Sequence, residues 1–319
     1  MICLGIESTA HTFGVSIVSS KGTVLSEVRD MYKTIEGGII PIKAAMHHED
    51  VKDRIIKEAI ENSKEKKIDL IAYSRGPGLA PCLNVGFKIA KKIAEDLKVP
   101  LIPVNHAVSH LTSGLLFTNA KDPVYIYVSG ANTQITVLEN KKYRILGETL
   151  DTGLGNALDK FGRGVGLGFP AGPVIENIAK IGKYYKLPYT VKGMDLAFSG
   201  IVTKAINDFR NKKASREDLC FSMQEILFSM LTEVSERALA HTRKNELLLI
   251  GGVAANKRLV EMLNIMCKER DARFYYVPLH YSGDQAAMIA WQGILEFNKT
   301  KTKLDIYPYE RLDQIEVNW

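Results

Sequence analysis

A chain of 319 residues with 46% hydrophobic and 24% charged residues has the make-up of about two globular domains with a substantial core, which excludes intrinsic disorder as its theme. A net charge of +6 is a mild excess, compatible with a nucleic-acid partner but not demanding one. No apolar run approaches the roughly 20 residues of a membrane span, and residues 1–5 enter a strand with no basic or small-residue leader pattern, so a cytoplasmic protein without membrane attachment is expected.

In chain order, period-two patterns predict strands at residues 2–6, 13–19 and 23–28, a three-stranded meander. A helix over about 42–63, a strand at 70–73, a helix over about 83–97, a strand at 101–104 and a helix from His106 follow. The plan then restarts, with strands at 124–128, 133–138 and 143–148. Helices from about Gly155 and Gly172 come next, then a loop at 186–193 and helices at 200–209 and 216–241. A strand at 247–250, a helix at 256–268, a strand at 273–277 and a helix at 284–297 complete the second copy. The halves share an order of elements and almost no residues. This predicts a duplicated α/β chain of the actin-like (sugar kinase and Hsp-seventy-type) ATPase fold, with two RNase H-like lobes around a nucleotide cleft. The expected organisation is an N-terminal lobe at 1–118, a C-terminal lobe with a helical insertion at 119–298 and a docked tail at 299–319.

His106 and His110 stand four residues apart, so on a helix their imidazoles project from one face and can share a metal ion. Asn105 is a good N-cap between the strand and that helix, which puts His106 in the opening turn at a strand's carboxyl end, where ligands bind in open α/β sheets. Three glycine-rich turns could approach a phosphate: Gly5 to Ala10, Tyr127 to Thr133 and Gly251 to Asn256. Asp159 and Glu176 stand beside glycine turns at helix starts, where ribose binding and simple helix-dipole pairing are both open. Asp284 precedes a helix, as an N-cap would. No P-loop or intact dinucleotide fingerprint occurs, and His48-Glu49 fails as a zincin because Lys52 takes the place of the second histidine. The four cysteines are scattered and read as reduced, buried small hydrophobes, and the short lysine clusters at 64–67, 91–92, 141–144, 212–213 and 299–303 read as solvated helix ends and turns.

Taken together, Gly5-Ile6-Glu7-Ser8-Thr9-Ala10, His47-His48, Gly76-Pro77-Gly78, Asn105 to His110, Tyr127 to Gln134, Lys192-Gly193-Met194-Asp195 and Gly251 to Asn256 resemble one family over essentially the whole chain. It is that of the tRNA threonylcarbamoyl transferases, the catalytic subunits of KEOPS-type complexes, once labelled O-sialoglycoprotein endopeptidases. The resemblance implies transfer of a threonylcarbamoyl group from threonylcarbamoyl-AMP to the exocyclic amine of the adenosine 3′ of the anticodon in ANN-decoding tRNAs. It also implies one divalent ion, iron or zinc, on His106, His110, Tyr127 and Asp284. The adenylate falls to Tyr127, Val128, Ser129, Gly130, Ala131, Asp159, Gly172, Glu176 and Asn256, a pocket that ATP or AMP could also occupy. Glu7 is the candidate for assisting removal of the amine proton. Implied partners are tRNA, a kinase-like ATPase, a small dimerising subunit and a further small subunit. A metalloprotease and a nucleotide-binding DNA or chromatin scaffold are the competing readings. The chain departs from the family pattern at Ala131, where glycine is usual, and at Gln285-Ala286, where asparagine and glycine are usual.

Overall fold

The computed structural model describes residues 1–33, 39–65, 67–299 and 303–319. Lys66 and Lys301 of the lysine clusters, and residues 300–302 of the expected tail, lie outside the described residues. Two compact units emerge: Met1–Leu116 with Asn140–Tyr143 and Asp284–Trp319, and Phe117–Glu139 with Arg144–Gly283.

The first unit opens with the meander β1 (Ile2–Glu7), β2 (Thr12–Ser19) and β3 (Val24–Met31). It continues with α1 (Pro41–Ser63), β4 (Leu70–Gly76), α2 (Ala80–Leu97), β5 (Leu101–Asn105) and α3 (His106–Phe117). Pro81 in the first turn of α2 costs no hydrogen bond there, and the helix begins three residues before the predicted Leu83. Strand order is β3-β2-β1-β4-β5, with β1 antiparallel to β2 and parallel to β4, and β4 parallel to β5. Leu4, Ile6, Phe13, Val15 and Ile17 on one sheet face pack with Ile55 and Ala59 of α1 and with Val85, Ala90 and Ala94 of α2. Each such leucine, isoleucine or phenylalanine removed from water contributes about 1.5–3 kcal/mol.

The second unit repeats the plan as β6 (Val124–Val128), β7 (Thr133–Glu139) and β8 (Lys142–Glu148), whose first two residues group with the first unit. Then come α4 (Leu154–Gly164), α5 (Gly172–Ala179), the hairpin β9 (Val191–Lys192) and β10 (Asp195–Leu196), α6 (Ser199–Arg210) and α7 (Arg216–Thr242). Next are β11 (Glu246–Ile250), a 3-10 turn at Gly252–Ala255, α8 (Lys257–Glu269), β12 (Arg273–Tyr276) and the short α9 (Leu279–Ser282). The order β12-β11-β6-β7-β8 is that of the first sheet with each strand replaced by its counterpart. The duplicated α/β plan is therefore as expected, and where the first copy has α1 alone between its third and fourth strands the second has α4 to α7 with the small hairpin. That hairpin occupies part of what reads as a loop in the sequence.

The last helix, α10 (Ala286–Glu296), departs from the expected organisation. Its Ala287, Met288, Ile289 and Ala290 fill the second face of the first sheet against Cys3, Val18, Leu70, Ala72 and Val104. A Cβ on Gly5 would lie 2.4 Å from the Ala290 nitrogen, so only glycine lets β1 and α10 approach this closely. Residues 284–298, expected with the second lobe, thus group with the first unit, because the apolar face of α10 covers the sheet face opposite α1 and α2. The tail docks there too. Tyr307 donates its N–H to the Arg75 carbonyl at 2.6 Å and Gly78 donates to the Pro308 carbonyl at 3.1 Å. Among the described residues no helix is long and apolar enough to cross a membrane.

Candidate functional site

In the first unit, the carboxyl end of β5 runs directly into α3. Asn105 caps this junction, its Oδ1 accepting from the Val108 N–H at 3.0 Å. This fixes the opening turn and sets His106 and His110 one turn apart, with ring centroids 4.7 Å apart and ring planes 86° apart. Asp284, just ahead of α10, comes to meet them: its Oδ1 lies 3.5 Å from His106 Nε2 and 3.3 Å from His110 Nε2. One ligand atom from each of the three lies within 4.8 Å of the others. The separations of 3.3 and 3.5 Å are close to the ~3.4 Å edge of a tetrahedron with ~2.1 Å bonds, and two imidazoles with one carboxylate form a borderline donor set that suits zinc or iron(II). These residues fit a divalent cation.

Glu7, at the end of β1, is fully buried behind His106, with its Oε2 3.0 Å from Nδ1. Its other oxygen accepts from the Thr9 N–H at 2.7 Å and from the Thr9 hydroxyl. A carboxylate on Nδ1 leaves Nε2 as the nitrogen that faces Asp284. Burial opposes charge on His106, but Glu7 and Asp284 together outweigh it and raise the imidazole to about 10. His110, equally buried and beside that positive ring, is pushed down. Burial alone would raise Asp284, yet hydrogen bonds to the two imidazoles hold it well below the usual carboxylate range.

Two neighbours of this cluster carry no signal in the sequence. The carboxylate of Glu27 on β3 accepts from the N–H groups of Ala286 and Ala287 at 3.2 and 3.0 Å, and Arg29 donates to the Asp284 carbonyl at 3.1 Å. Gln285 accepts from the Met288 N–H at 3.0 Å, so the altered Gln285-Ala286 helix start is fully capped. Burial lifts Glu27 to about 7.

The second unit holds the remaining predicted residues. Tyr127 and Val128 lie buried on β6, and the chain turns directly after them through Ser129, Gly130 and Ala131. Ser129 closes the turn, its N–H donating to the Asn132 carbonyl at 2.9 Å and its hydroxyl accepting from the Asn132 N–H at 3.0 Å. Asn156 and Gly155, at the start of α4, donate to the carbonyls of Gly130 and Ser129 at 2.9 and 3.1 Å. Gly251, at φ +100°, lies so close that a Cβ would sit 2.2 Å from the Val128 carbonyl oxygen. Two glycine turns and a helix start therefore converge, leaving the exposed N–H groups of Gly130 and Ala131 with no acceptor among the described residues. Adjacent unpaired amides in a turn favour an anion.

Around this turn, Asp159 on α4 accepts from the Ala171 N–H at 2.7 Å, one residue before Gly172, and Glu176 on α5 accepts from the Lys257 N–H at 3.0 Å. Asn256 caps α8 through the N–H groups of Arg258 and Leu259 at 2.9 and 3.2 Å. Burial raises the Asp159 carboxyl. A Cβ on Gly172 or Gly252 would meet nothing within 4 Å, so open space adjoins both. The structure thus joins Asp159, Gly172, Glu176 and Asn256 through α4, α5 and α8, and joins His106, His110, Asp284 and Glu7 within the other unit.

Residues 23–291 match the family described as TsaD, tRNA N6-adenosine threonylcarbamoyltransferase. This chain belongs to that family. The "tRNA N6-adenosine threonylcarbamoyltransferase" of Archaeoglobus fulgidus is 47% identical, with all of each chain covered. A "Probable bifunctional tRNA threonylcarbamoyladenosine biosynthesis protein" of Methanocaldococcus jannaschii is 50% identical over the whole of this chain, which spans 60% of that protein's length. Among solved structures, HypF of T. kodakarensis superposes with a TM-score of 0.65 at 15% identity, covering 93% of this chain and 47% of its own, a likeness of fold.

Proposed function

We propose that this chain transfers the threonylcarbamoyl group of threonylcarbamoyl-AMP to N6 of the adenosine 3′ of the anticodon in ANN-decoding tRNAs. The observation that carries the reading is the cluster of buried His106 and His110 with half-buried Asp284, backed by Glu7, in a member of this family. In the reaction the amine nitrogen attacks the carbamoyl carbon, the C–N bond forms, the C–O bond to phosphate breaks, AMP departs with the electron pair, and the proton lost from the amine passes to water. The substrate is already activated, so positioning and electrostatics are what the protein must add.

In this reading His106, His110 and Asp284 hold one divalent ion, iron or zinc. A fourth ligand, Tyr127, rests on the resemblance alone. The ion, when bound, supplies Lewis-acid stabilisation of developing negative charge and an anchor for the threonyl carboxylate. Glu7 aligns His106. Both its oxygens are engaged and it is fully buried, which supports positioning over abstraction of the amine proton. In this reading the adenylate phosphate lies at the turn of Gly130 and Ala131, which their amides, without an acceptor among the described residues, support. Asp159 and Glu176 each spend one oxygen on a backbone N–H, which leaves the other for ribose hydroxyls. Asn256 and the open space at Gly172 complete the nucleoside contacts, and ATP or AMP fits the same donors.

The partners in this reading are tRNA and KEOPS-type subunits: a kinase-like ATPase, a small dimerising subunit and a further small subunit. The setting is the cytoplasm. The test is reconstitution of this chain with those subunits, a threonylcarbamoyl-AMP synthase, ATP, threonine, bicarbonate and an unmodified ANN-decoding tRNA. Threonylcarbamoyladenosine in the digested tRNA is the expected product. Its absence, where a homologous set yields it, overturns the assignment.

A further inference from the structure

Charge is not spread evenly along this chain. Residues 177–218 contain nine lysines and arginines against four acidic residues, so a surplus of five, out of +6 for all 319 residues, sits in this stretch. Two of the four acids are Glu217 and Asp218, which open α7 and face its positive amino terminus. A third, Asp208, is buried and held by Lys204 and, at 3.8 Å, by Lys213.

The fold gathers the bases onto one side of the second unit. Tyr185 donates its hydroxyl to Asp208 Oδ2 at 3.1 Å and its N–H to the Ser222 hydroxyl at 2.6 Å, and Lys183 donates its N–H to Asp218 at 2.7 Å. These bonds lay the segment after α5 along the end of α6 and the start of α7. Lys183, Lys186, Arg210 and Lys212 are exposed there, and among the described residues none pairs with a carboxylate. Tyr184 stands among them with 62% of its surface exposed, and among the described residues no hydrogen bond holds its ring. A solvated helix end explains one lysine. It does not explain an exposed tyrosine amid four unpaired cations in a chain that is otherwise close to neutral.

We propose that this face, centred on Lys183, Lys186, Arg210 and Lys212 with Lys204 and Lys213 at its margin, grips the phosphates of an RNA, with Tyr184 as a stacking surface for an unpaired base. Clustered cations neutralise backbone charge and release counterions, and an exposed aromatic ring stacks on any base. The assignment rests on the tRNA reading above and deepens it. The first of these residues, Lys183, follows the end of α5, the helix that carries the adenylate-side carboxylate Glu176, by four residues.

The test measures binding of the full chain to an unmodified ANN-decoding tRNA transcript across a salt series. The triple variant Lys183→Ala, Lys186→Ala, Lys212→Ala is compared with Lys57→Ala, Lys91→Ala, Lys98→Ala, which removes three exposed lysines from the first unit. The first triple should lose at least about tenfold in affinity at 0.1 M salt and flatten the salt slope by about two to three, and the second should match the parent. Tyr184→Ala should weaken binding by about fivefold or more with the slope unchanged. Equal affinity and slope in both triples overturns the face while leaving the transferase reading intact. Failure of the parent chain to modify tRNA, with binding still lost in the first triple, overturns the reaction and keeps the face. Duplex DNA of equal charge bound as tightly as tRNA, and lost equally in the first triple, overturns RNA as the partner in favour of polyanions in general.

Discussion

The carboxylate of Glu7 and the imidazole of His106 meet at 3.0 Å through Oε2 and Nδ1, and this contact sets which nitrogen of His106 faces Asp284. Partners of this kind typically change metal affinity by about ten- to a hundredfold when removed. Glu7→Gln should weaken zinc binding within that range, with a far-ultraviolet dichroism spectrum like the parent's. Competition against a chromogenic chelator measures it, and parental affinity would show that Glu7 serves only the Thr9 turn.

Glu176 combines a backbone anchor with a free oxygen, so the two roles can be separated. Glu176→Gln keeps an acceptor for the Lys257 N–H and loses the charge, whereas Glu176→Ala loses both. Calorimetric titration with AMP should show roughly a tenfold loss for the alanine variant, the ~1.5 kcal/mol of a hydrogen bond to a charged group, and a smaller loss for the glutamine variant. Parental affinity in both would move the ribose elsewhere.

Acid should destabilise the first unit through His48. Its side chain is fully buried, with its ring centroid 5.6 Å from that of Phe13 and its Nδ1 3.4 Å from His47 Nδ1. Burial, with His47 adding to it, pushes the imidazole down from 6.5 to about 4. The unfolded chain then binds the proton more tightly, so stability is full above about pH 6.5 and declines as the pH falls toward 4, by about 3 kcal/mol. Urea unfolding between pH 7 and 4 should show this slope, and His48→Gln should flatten it. An unchanged slope in the variant would assign the acid sensitivity to other groups.

The tail is tied to α3 through one carboxylate. Glu310 accepts from Arg75 Nε and Nη2 at 2.8 and 2.9 Å and from Asn105 Nδ2 at 2.9 Å, and Asn105 is the cap of α3. Removing one partner of a buried pair strands the other, so Glu310→Ala should cost about 3–5 kcal/mol by urea denaturation. A loss below about 1 kcal/mol would mean that the pair behaves as a surface ion pair.

Much of this architecture is legible in the residues because strands, glycine turns and helix caps are local signals. The spacing of His106 and His110 and the cap at Asn105 predict the opening of α3 directly. What local pattern cannot say is which sheet a helix joins. The apolar face of α10 would suit either sheet, and its place with the first is decided by the backbone fit at Gly5, 281 residues before Ala286. Glu27, Arg29 and Glu310 stayed hidden for the same reason. Each is an ordinary charged residue in sequence, and its role arises only from a partner far along the chain. The basic face is the converse case: its charge surplus is countable in the sequence, but its gathering by Tyr185 and Asp208 is not.

The metal content of the purified chain tests the central claim most directly. Elemental analysis after dialysis against zinc or iron(II) should find one ion per chain in the parent protein and none in the His106→Ala, His110→Ala double variant, with both unfolding cooperatively. Equal metal content in the two proteins would contradict the account, because the histidines would then not be the ligands.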